Sequence, residues 1–249
     1  MKVVAIIPAR YSSSRLPGKP LKDICGHPMI WWVYNRVCSI DKLDEVYVAT
    51  DDERIKKVCE NNNIPVVMTK STHSTAAHRL QEVSDYIDAD FYIQLNGDEP
   101  LINTDAVVAA IVDDVPQDIE FGVNIITEIN DPAQVIDPSN IKMVFDNEMN
   151  ALYMSRTPIP YPYKSIDYKY YKHLGIIGYN KKMLDFHKDT EPGRFEKIEG
   201  IDTLRFLDYG KQLKLIIVSN CHSLSVDTEK DLEMVKKMIK EENNVCSSK

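Results

Sequence analysis

No stretch of the chain approaches the ~18 consecutive apolar residues that a bilayer span needs. The first apolar run, in MKVVAIIPAR, is interrupted by Pro8 and Arg10. Neither a membrane span nor a signal peptide is therefore expected, and a cytoplasmic protein is. Cysteine is sparse: Cys25, Cys38, Cys59, Cys221 and Cys246 are odd in number and lack CxxC spacing. That pattern argues against a disulfide framework or a zinc site and for a reducing compartment. Positive charge is in deficit, with 30 Lys and Arg against 38 Asp and Glu and a formal charge of −8. The broad basic surface of a nucleic-acid binder is thus missing, and a polyphosphate ligand would have to meet a local cationic cluster. Internal repeats, low-complexity tracts, clear linkers, GxGxxG and GxxxxGK[ST] are absent as well.

The 249 residues, 43% hydrophobic and 27% charged, suffice for one substantial core in a single α/β domain. Val3 to Ile7 is a continuously apolar, β-branched run of the kind that is buried on both faces of a parallel sheet. Strand-like runs return at Glu45 to Thr50, Val66 to Thr69 and Phe91 to Leu95, the last stopping at Asn96-Gly97-Asp98. Helical patterns lie between them at Pro28 to Ile40, Glu53 to Asn61 and Ala77 to Ile87. This alternation predicts a doubly wound, Rossmann-like and mostly parallel sheet. Further strands are expected at Gly122 to Thr127, Ile141 to Phe145 and Leu174 to Tyr179. Pro-rich and Tyr-rich connections such as TPIPYPYKSIDYKYY join them, so a mixed-sheet insertion over roughly 120–180 is expected. A helix at Ile198 to Tyr209, a strand at Leu213 to Ser219 and an amphipathic helix at Thr228 to Glu242, capped by Asp227 or Thr228, complete the reading.

The local cationic cluster sits between the first strand and the first helix. In PARYSSSRLPGKPL, Arg10, Arg15 and Lys19 fall within ten residues, beside Ser12, Ser13, Ser14 and Gly18. Ligands of open α/β sheets bind outside the carboxyl ends of strands. A loop there can combine backbone N–H groups, Arg forks and a Lys point charge around phosphates. A merely solvated basic loop is the plain alternative.

PARYSSSRLPGKPL, the VATDD at 48–52, the NGDEPLI at 96–102, LYMSRTPIPYP at 152–162, KHLGIIGY at 172–179 and SVDTEKDLE at 225–233 together resemble the 3-deoxy-manno-octulosonate cytidylyltransferases, or CMP-Kdo synthetases. Their order and spacing match over nearly the whole chain. The resemblance implies transfer of CMP from CTP to the anomeric hydroxyl of the sugar, release of pyrophosphate, Mg²⁺ dependence and a dimerisation segment in a homodimer. It also implies roles for particular residues. Arg10, Arg15 and Lys19, with Ser12, His73 and Arg79, would handle the nucleotide, Lys19, Arg10 and Asp98 being the catalytic set. Asp98 and Asp227 would hold Mg²⁺, and Asn96, Arg156, His173 and Glu199 would line the acceptor pocket.

The sequence departs from that family in three places. DHxSGTER or DHxSGTDR is replaced by Thr72 to Arg79, which keeps only His73 and Arg79 and puts Ala76 where glycine is usual and His78 where an acid is usual. Asn96 stands for the Gln before GDEP, and Ser223 and Ser225 stand for a glycine pair. All three lie where base and acceptor would sit, while the phosphate and metal positions match. A changed acceptor, whether another ulosonic acid or a smaller carboxylate or phosphonate, is therefore the alternative to 3-deoxy-manno-octulosonate. A non-catalytic nucleotide-binding relative is disfavoured by the presence of Lys19, Asp98 and Asp227. A glycosyltransferase is disfavoured because Asp98-Glu99-Pro100 is not a DxD motif.

Overall fold

Seven residues, VVAIIPA, form strand β1 (Val3–Ala9), whose alternate side chains enter two different cores. Val3, Ala5 and Ile7 pack with helices α1 (Met29–Val37), α2 (Glu53–Asn61) and α4 (Thr104–Ala110) on one face. Val4 and Ile6 pack with α3 (Ala76–Ser84), α6 (Lys181–Asp189) and α8 (Leu204–Asp208) on the other. A strand buried on both faces can afford no polar alternation, which is why the run reads as continuously apolar. A short hairpin of β2 (Asp23–Ile24) and β3 (His27–Pro28) precedes α1. The computed structural model describes residues 1–13, 15–219, 221 and 224–247, without the side chains of 243–247. Ser14, Ser223 and the Cys246 side chain thus lie outside the described residues.

β1 pairs in parallel with β4 (Glu45–Thr50) and β6 (Phe91–Leu95), and β4 with β5 (Val66–Met68). The expected parallel half is therefore present. The second half adds β7 (Gly122–Glu128), β8 (Lys142–Phe145), β9 (Ala151–Ser155), β10 (Tyr171–Tyr179) and β11 (Leu213–Ile217). The main path of this nine-stranded sheet runs β11-β7-β10-β6-β1-β4-β5. The segment expected as an insertion thus contributes β7 and β10 to the main sheet, because both carry apolar residues for two faces. Only β8 and β9 leave the path, as a hairpin on the first residues of β10.

β10 runs antiparallel to β6 and β7, and it changes neighbour along its length. Ile176 to Tyr179 lie against β6, whereas Tyr171 and Lys172 lie against β8. An opening at the sheet surface therefore falls at His173 to Gly175, directly after the end of β6.

The helix expected over Ile198 to Tyr209 is two helices, α7 (Arg194–Glu199) and α8, divided at Gly200 with φ 64°. Arg205, 1% exposed, locks them together: its fork donates to both Glu196 carboxylate oxygens at 2.7 Å, and Nη1 donates to the His187 and Thr190 carbonyls. Three helices not read from the pattern are α4, α5 (Pro132–Ile136) and α6, capped by Asn103, Asp131 and Asn180. The closing helix α9 (Glu229–Ser247) has Thr228 as its cap, which accepts from Asp231 N while Asp231 accepts from Thr228 N. Leu232, Val235 and Ile239 fasten α9 to Leu16, Ile24 and Met29.

His187 is fully buried between His78 and Phe206. Burial, with Arg205 and His78 nearby, pushes its pKa down to about 2. In the unfolded chain the ring takes a proton near pH 6.5. Folding therefore costs nothing at His187 above that pH and loses stability as pH falls below it. Stability should drop by about 2–3 kcal/mol between pH 7 and 4.5 through this residue alone. Guanidinium unfolding of wild type and His187→Phe over that range measures it. Parallel pH profiles for the two proteins would rule the assignment out.

Candidate active site

The polypeptide after β1 turns back on itself where Gly18 N donates to Tyr11 O at 2.9 Å, and it enters a short 3₁₀ turn at Lys19–Leu21 with Pro20 inside. Arg54 clamps this loop from outside. Its guanidinium lies 3.2 Å from the Tyr11 ring centroid while its fork is held bidentate by Asp52.

Lys19 projects from the turn to a point between two carboxylates, with Nζ 2.9 Å from Asp98 Oδ2 and 2.9 Å from Asp227 Oδ1. Arg15 Nη2 adds a second cation at 3.0 Å from the same Asp227 oxygen. Burial alone would lower the Lys19 pKa, but Asp98 and Asp227 outweigh it and hold the ammonium above its ordinary range. The two acids lie far apart in sequence and are joined through the backbone, since Val226 N donates to Asp98 O at 2.9 Å. Asp98 reaches this point because Gly97 follows β6: a Cβ there would stand 2.8 Å from Pro8 O at the end of β1. Only glycine lets the two strand ends approach so closely.

A cleft of about 470 Å³ covers this arrangement, with Arg10, Ser12, Ser13, Arg15, Lys19, Gly97, Asp98 and Asp227 in its wall. Next to it lies a second cleft of about 570 Å³ that includes Asn96, Arg156, Lys172 and His173. Arg15, Asn96 and Asp227 border both, so the two clefts form one trough across the carboxyl ends of β1 and β6. One end is basic and loop-built, and the other is polar, with Lys172 to Gly175 of β10 in its wall.

Most residues singled out from the sequence meet in this trough, and three do not. His73 lies outside the wall, bonded through Nε2 to Glu82, whose same carboxylate oxygen accepts from Lys70 N. Arg79 is 1% exposed, beneath the loop, with Asp51 at 3.3 Å and Thr69 as a hydrogen-bond partner. Both brace the segment from below. Glu199 stands behind Arg156, accepting from Ser155 Oγ at 2.6 Å and from Arg156 N at 3.0 Å. The Arg156 fork is itself held by the Glu199, Pro138 and Gly200 carbonyls.

The altered segment at Thr72 to Arg79 keeps a regular geometry. Thr75 caps α3 by accepting from His78 N, and Ala76 is the first helical residue, where no positive φ is required. His78 Nε2 accepts from Arg205 Nη1 at 3.2 Å, and burial together with Arg205 lowers its pKa. The usual acid is thus replaced by a neutral ring turned toward α8. Asn96 donates from its backbone N to Gly175 O and from Nδ2 to Glu99 Oε1. A Cβ on Gly175 would overlap Asn96 Nδ2 at 1.8 Å, so the pair is mutually fitted.

Residues not found by sequence reasoning include Lys172, whose Nζ donates to Gln134 and Asn140, and the buried Asn124, which bonds His173 Nδ1 at 2.7 Å. Lys172 stood next to His173 in KHLGIIGY and could have been read there. Asn124, inside an apolar strand, carried the one visible signal of a lone amide among β-branched residues.

The cytidylyltransferase family profile matches residues 4–216. An 8-amino-3,8-dideoxy-manno-octulosonate cytidylyltransferase of Shewanella halifaxensis is 41% identical over 239 residues, covering 94% of this chain and 97% of the relative. The protein of the same name from Shewanella frigidimarina is 41% identical over 237 residues, covering 93% and 96%. Among solved structures, a CMP:2-keto-3-deoxy-manno-octonic acid synthetase complexed with CTP superposes with a TM-score of 0.88 at 35% identity, covering 97% of this chain and all of that one. The family match runs from β1 into β11, and the chain belongs to the cytidylyltransferase family.

Proposed function

We propose that this enzyme transfers the cytidylyl group of CTP to the anomeric hydroxyl of a 3-deoxy-octulosonic acid, with 8-amino-3,8-dideoxy-manno-octulosonate the preferred acceptor. The observation that carries this reading is the continuity of the trough: a basic cleft sized for a nucleotide, with Lys19 and Asp98 in its wall, meets a polar cleft sized for a sugar acid at Arg15, Asn96 and Asp227. The 8-amino acid is favoured over 3-deoxy-manno-octulosonate because the relatives at 41% identity carry that name. Asn96 and Ser225, both in the wall of the polar cleft, moreover depart from the usual octulosonate pattern.

In the reaction the acceptor oxygen attacks the α-phosphorus, the bond to pyrophosphate breaks, and the hydroxyl proton is lost. Arg10, Arg15 and Lys19 hold the phosphates and offset the negative charge that grows on the leaving group. Asn96, Arg156 and His173 hold the sugar at the other end of the trough, so that its hydroxyl faces the α-phosphate and not bulk water. Asp98 and Asp227 fit a Mg²⁺ ion, because hard carboxylate oxygens from both converge on one cation at 2.9 Å each. Such an ion would neutralise phosphate charge. Among the described residues no cluster of three or more His, Cys, Asp or Glu side chains could hold a metal, so phosphate and water oxygens would complete its shell.

We further assign the exposed apolar side chains of Leu152, Tyr161, Tyr163 and Ile166 to contact with a second copy of the chain, giving a homodimer. Light scattering should return twice the chain mass for wild type and the single-chain mass for Tyr161→Asp/Ile166→Asp. A monomeric wild type would refute the dimer.

Asp98→Ala or Asp227→Ala should leave the fold intact and lower turnover by at least about 10²-fold. Near wild-type turnover at saturating Mg²⁺ would remove that carboxylate from the metal site. The acceptor is tested by pyrophosphate release from CTP across a panel of ulosonic acids, smaller carboxylates and phosphonates. The 8-amino octulosonate should give the highest kcat/KM. Asn96→Gln should cost about 1–3 kcal/mol with that acceptor, the longer amide no longer fitting against Gly175. Efficient use of 3-deoxy-manno-octulosonate, unmatched by any other acid, would instead establish the unmodified sugar.

A further inference from the structure

β10 loses register with β7 at the floor of the polar cleft. His173 pairs with Ile126 and Ile177 with Asn124, so Leu174, Gly175 and Ile176 stand against Ile125 alone. A bulge of this size strands backbone carbonyls in the interior, where each needs a donor. One side chain supplies it: Asn124, fully buried, places Nδ2 3.0 Å from Leu174 O, 3.1 Å from Ile176 O and 3.2 Å from Ile125 O.

Three carbonyls around Nδ2 fix the orientation of the amide, since the reversed amide would set its oxygen against three acceptors. Oδ1 is therefore the atom 2.7 Å from His173 Nδ1. Two acceptors do not bond, so Nδ1 carries the proton. Burial, reinforced by Arg156, pushes the His173 pKa down to about 4, and the ring is neutral near pH 7. With its one proton on Nδ1, the opposite edge of the ring, at the cleft wall, presents Nε2 as a bare lone pair.

We propose that Asn124 is a positioning residue that locks His173 in the Nδ1–H tautomer, so that Nε2 accepts a hydrogen bond from a hydroxyl or ammonium of the acceptor sugar. The sugar half of this statement rests on the proposed function, and the tautomer half does not. A hydroxyl can donate or accept and would tolerate either tautomer. An ammonium can only donate, and an Nε2–H ring would face it donor to donor. The lock therefore matters most if the terminal ammonium of an 8-amino octulosonate is the group at His173.

The first measurement needs no variant and no acceptor: long-range ¹H–¹⁵N correlation of the labelled wild type at pH 7.5, with the His173 signals assigned by their loss in His173→Gln. Protonated Nδ1 and bare Nε2 are expected, and an Nε2–H tautomer or a charged ring overturns the proposal. The second is Asn124→Thr, which keeps one hydroxyl donor for the bulge but cannot reach the ring. Its kcat/KM for octulosonates should fall about ten- to hundredfold while KM for CTP stays within about twofold. A larger loss for the 8-amino acid than for the 8-hydroxy acid identifies the ammonium as the donor, and equal losses identify a hydroxyl common to both. Unchanged kcat/KM in a variant whose His173 tautomer has shifted overturns the assignment. If no octulosonate is turned over by wild type, the proposed function fails, and the tautomer measurement still stands by itself.

Discussion

The sharing of one ammonium by two carboxylates holds the basic end of the trough together. Lys19 belongs to the loop after β1, Asp98 to the loop after β6, and Asp227 to the approach to α9. The parallel pairing of β1 with β6 sets the first two loops side by side, but no strand pairing brings in the third. Each Asp is 2.9 Å from Lys19 Nζ, whose side chain is 12% exposed. A cation so far removed from water requires anionic partners, and two neighbouring carboxylates require a cation. The Val226 to Asp98 backbone bond and the packing of Leu232, Val235 and Ile239 on Leu16 and Ile24 hold the charges in register. The closing helix α9 is in this sense part of the basic loop after β1.

The polar cleft depends on a different device, an irregularity in an otherwise regular sheet. Because β10 passes from β6 to β8 along one edge, the sheet opens at His173 to Gly175, and the bulge against β7 lets that segment turn toward the cleft. Buried polar groups stabilise the irregularity. Asn124 satisfies the bulge carbonyls, and Lys142, fully buried, donates to the Asp137 and Arg156 carbonyls. Such groups are costly unless fully bonded, so they also specify one arrangement of the pocket. The basic cleft is thus built from loops and charge, and the floor of the polar cleft from strand geometry and buried amides.

This division matches where the chain departs from the octulosonate pattern. The residues around Lys19, Asp98 and Asp227 conform. At Ala76 and His78 the structure absorbs the changes, as a helix start and as a neutral partner for Arg205. Asn96 stays in the cleft wall, fitted to Gly175 and bonded to Glu99, and Ser225 and Ala76 line the trough as well.

By itself the sequence determined the alternating β and α order of the first half, because strands buried on both faces must be apolar throughout. It also determined the basic loop, because three cations within ten residues stand out in an acidic chain. The motif resemblance likewise marked Asp98, Asp227, Asn96, Arg156 and His173, all of which line the trough. Tertiary structure alone decided that β7 and β10 enter the main sheet, since a hydrophobic run does not encode its neighbour. Gly200 divides α7 from α8 through a left-handed residue that a helical pattern does not reveal. Tertiary structure also placed His73, Arg79 and Glu199 behind the wall and not in it, because a motif fixes residue type and spacing but not which way a side chain turns. The pairing of Asn124 with His173 spans 49 positions and exists only because a bulge brings the two together; no local pattern in either strand could have announced it.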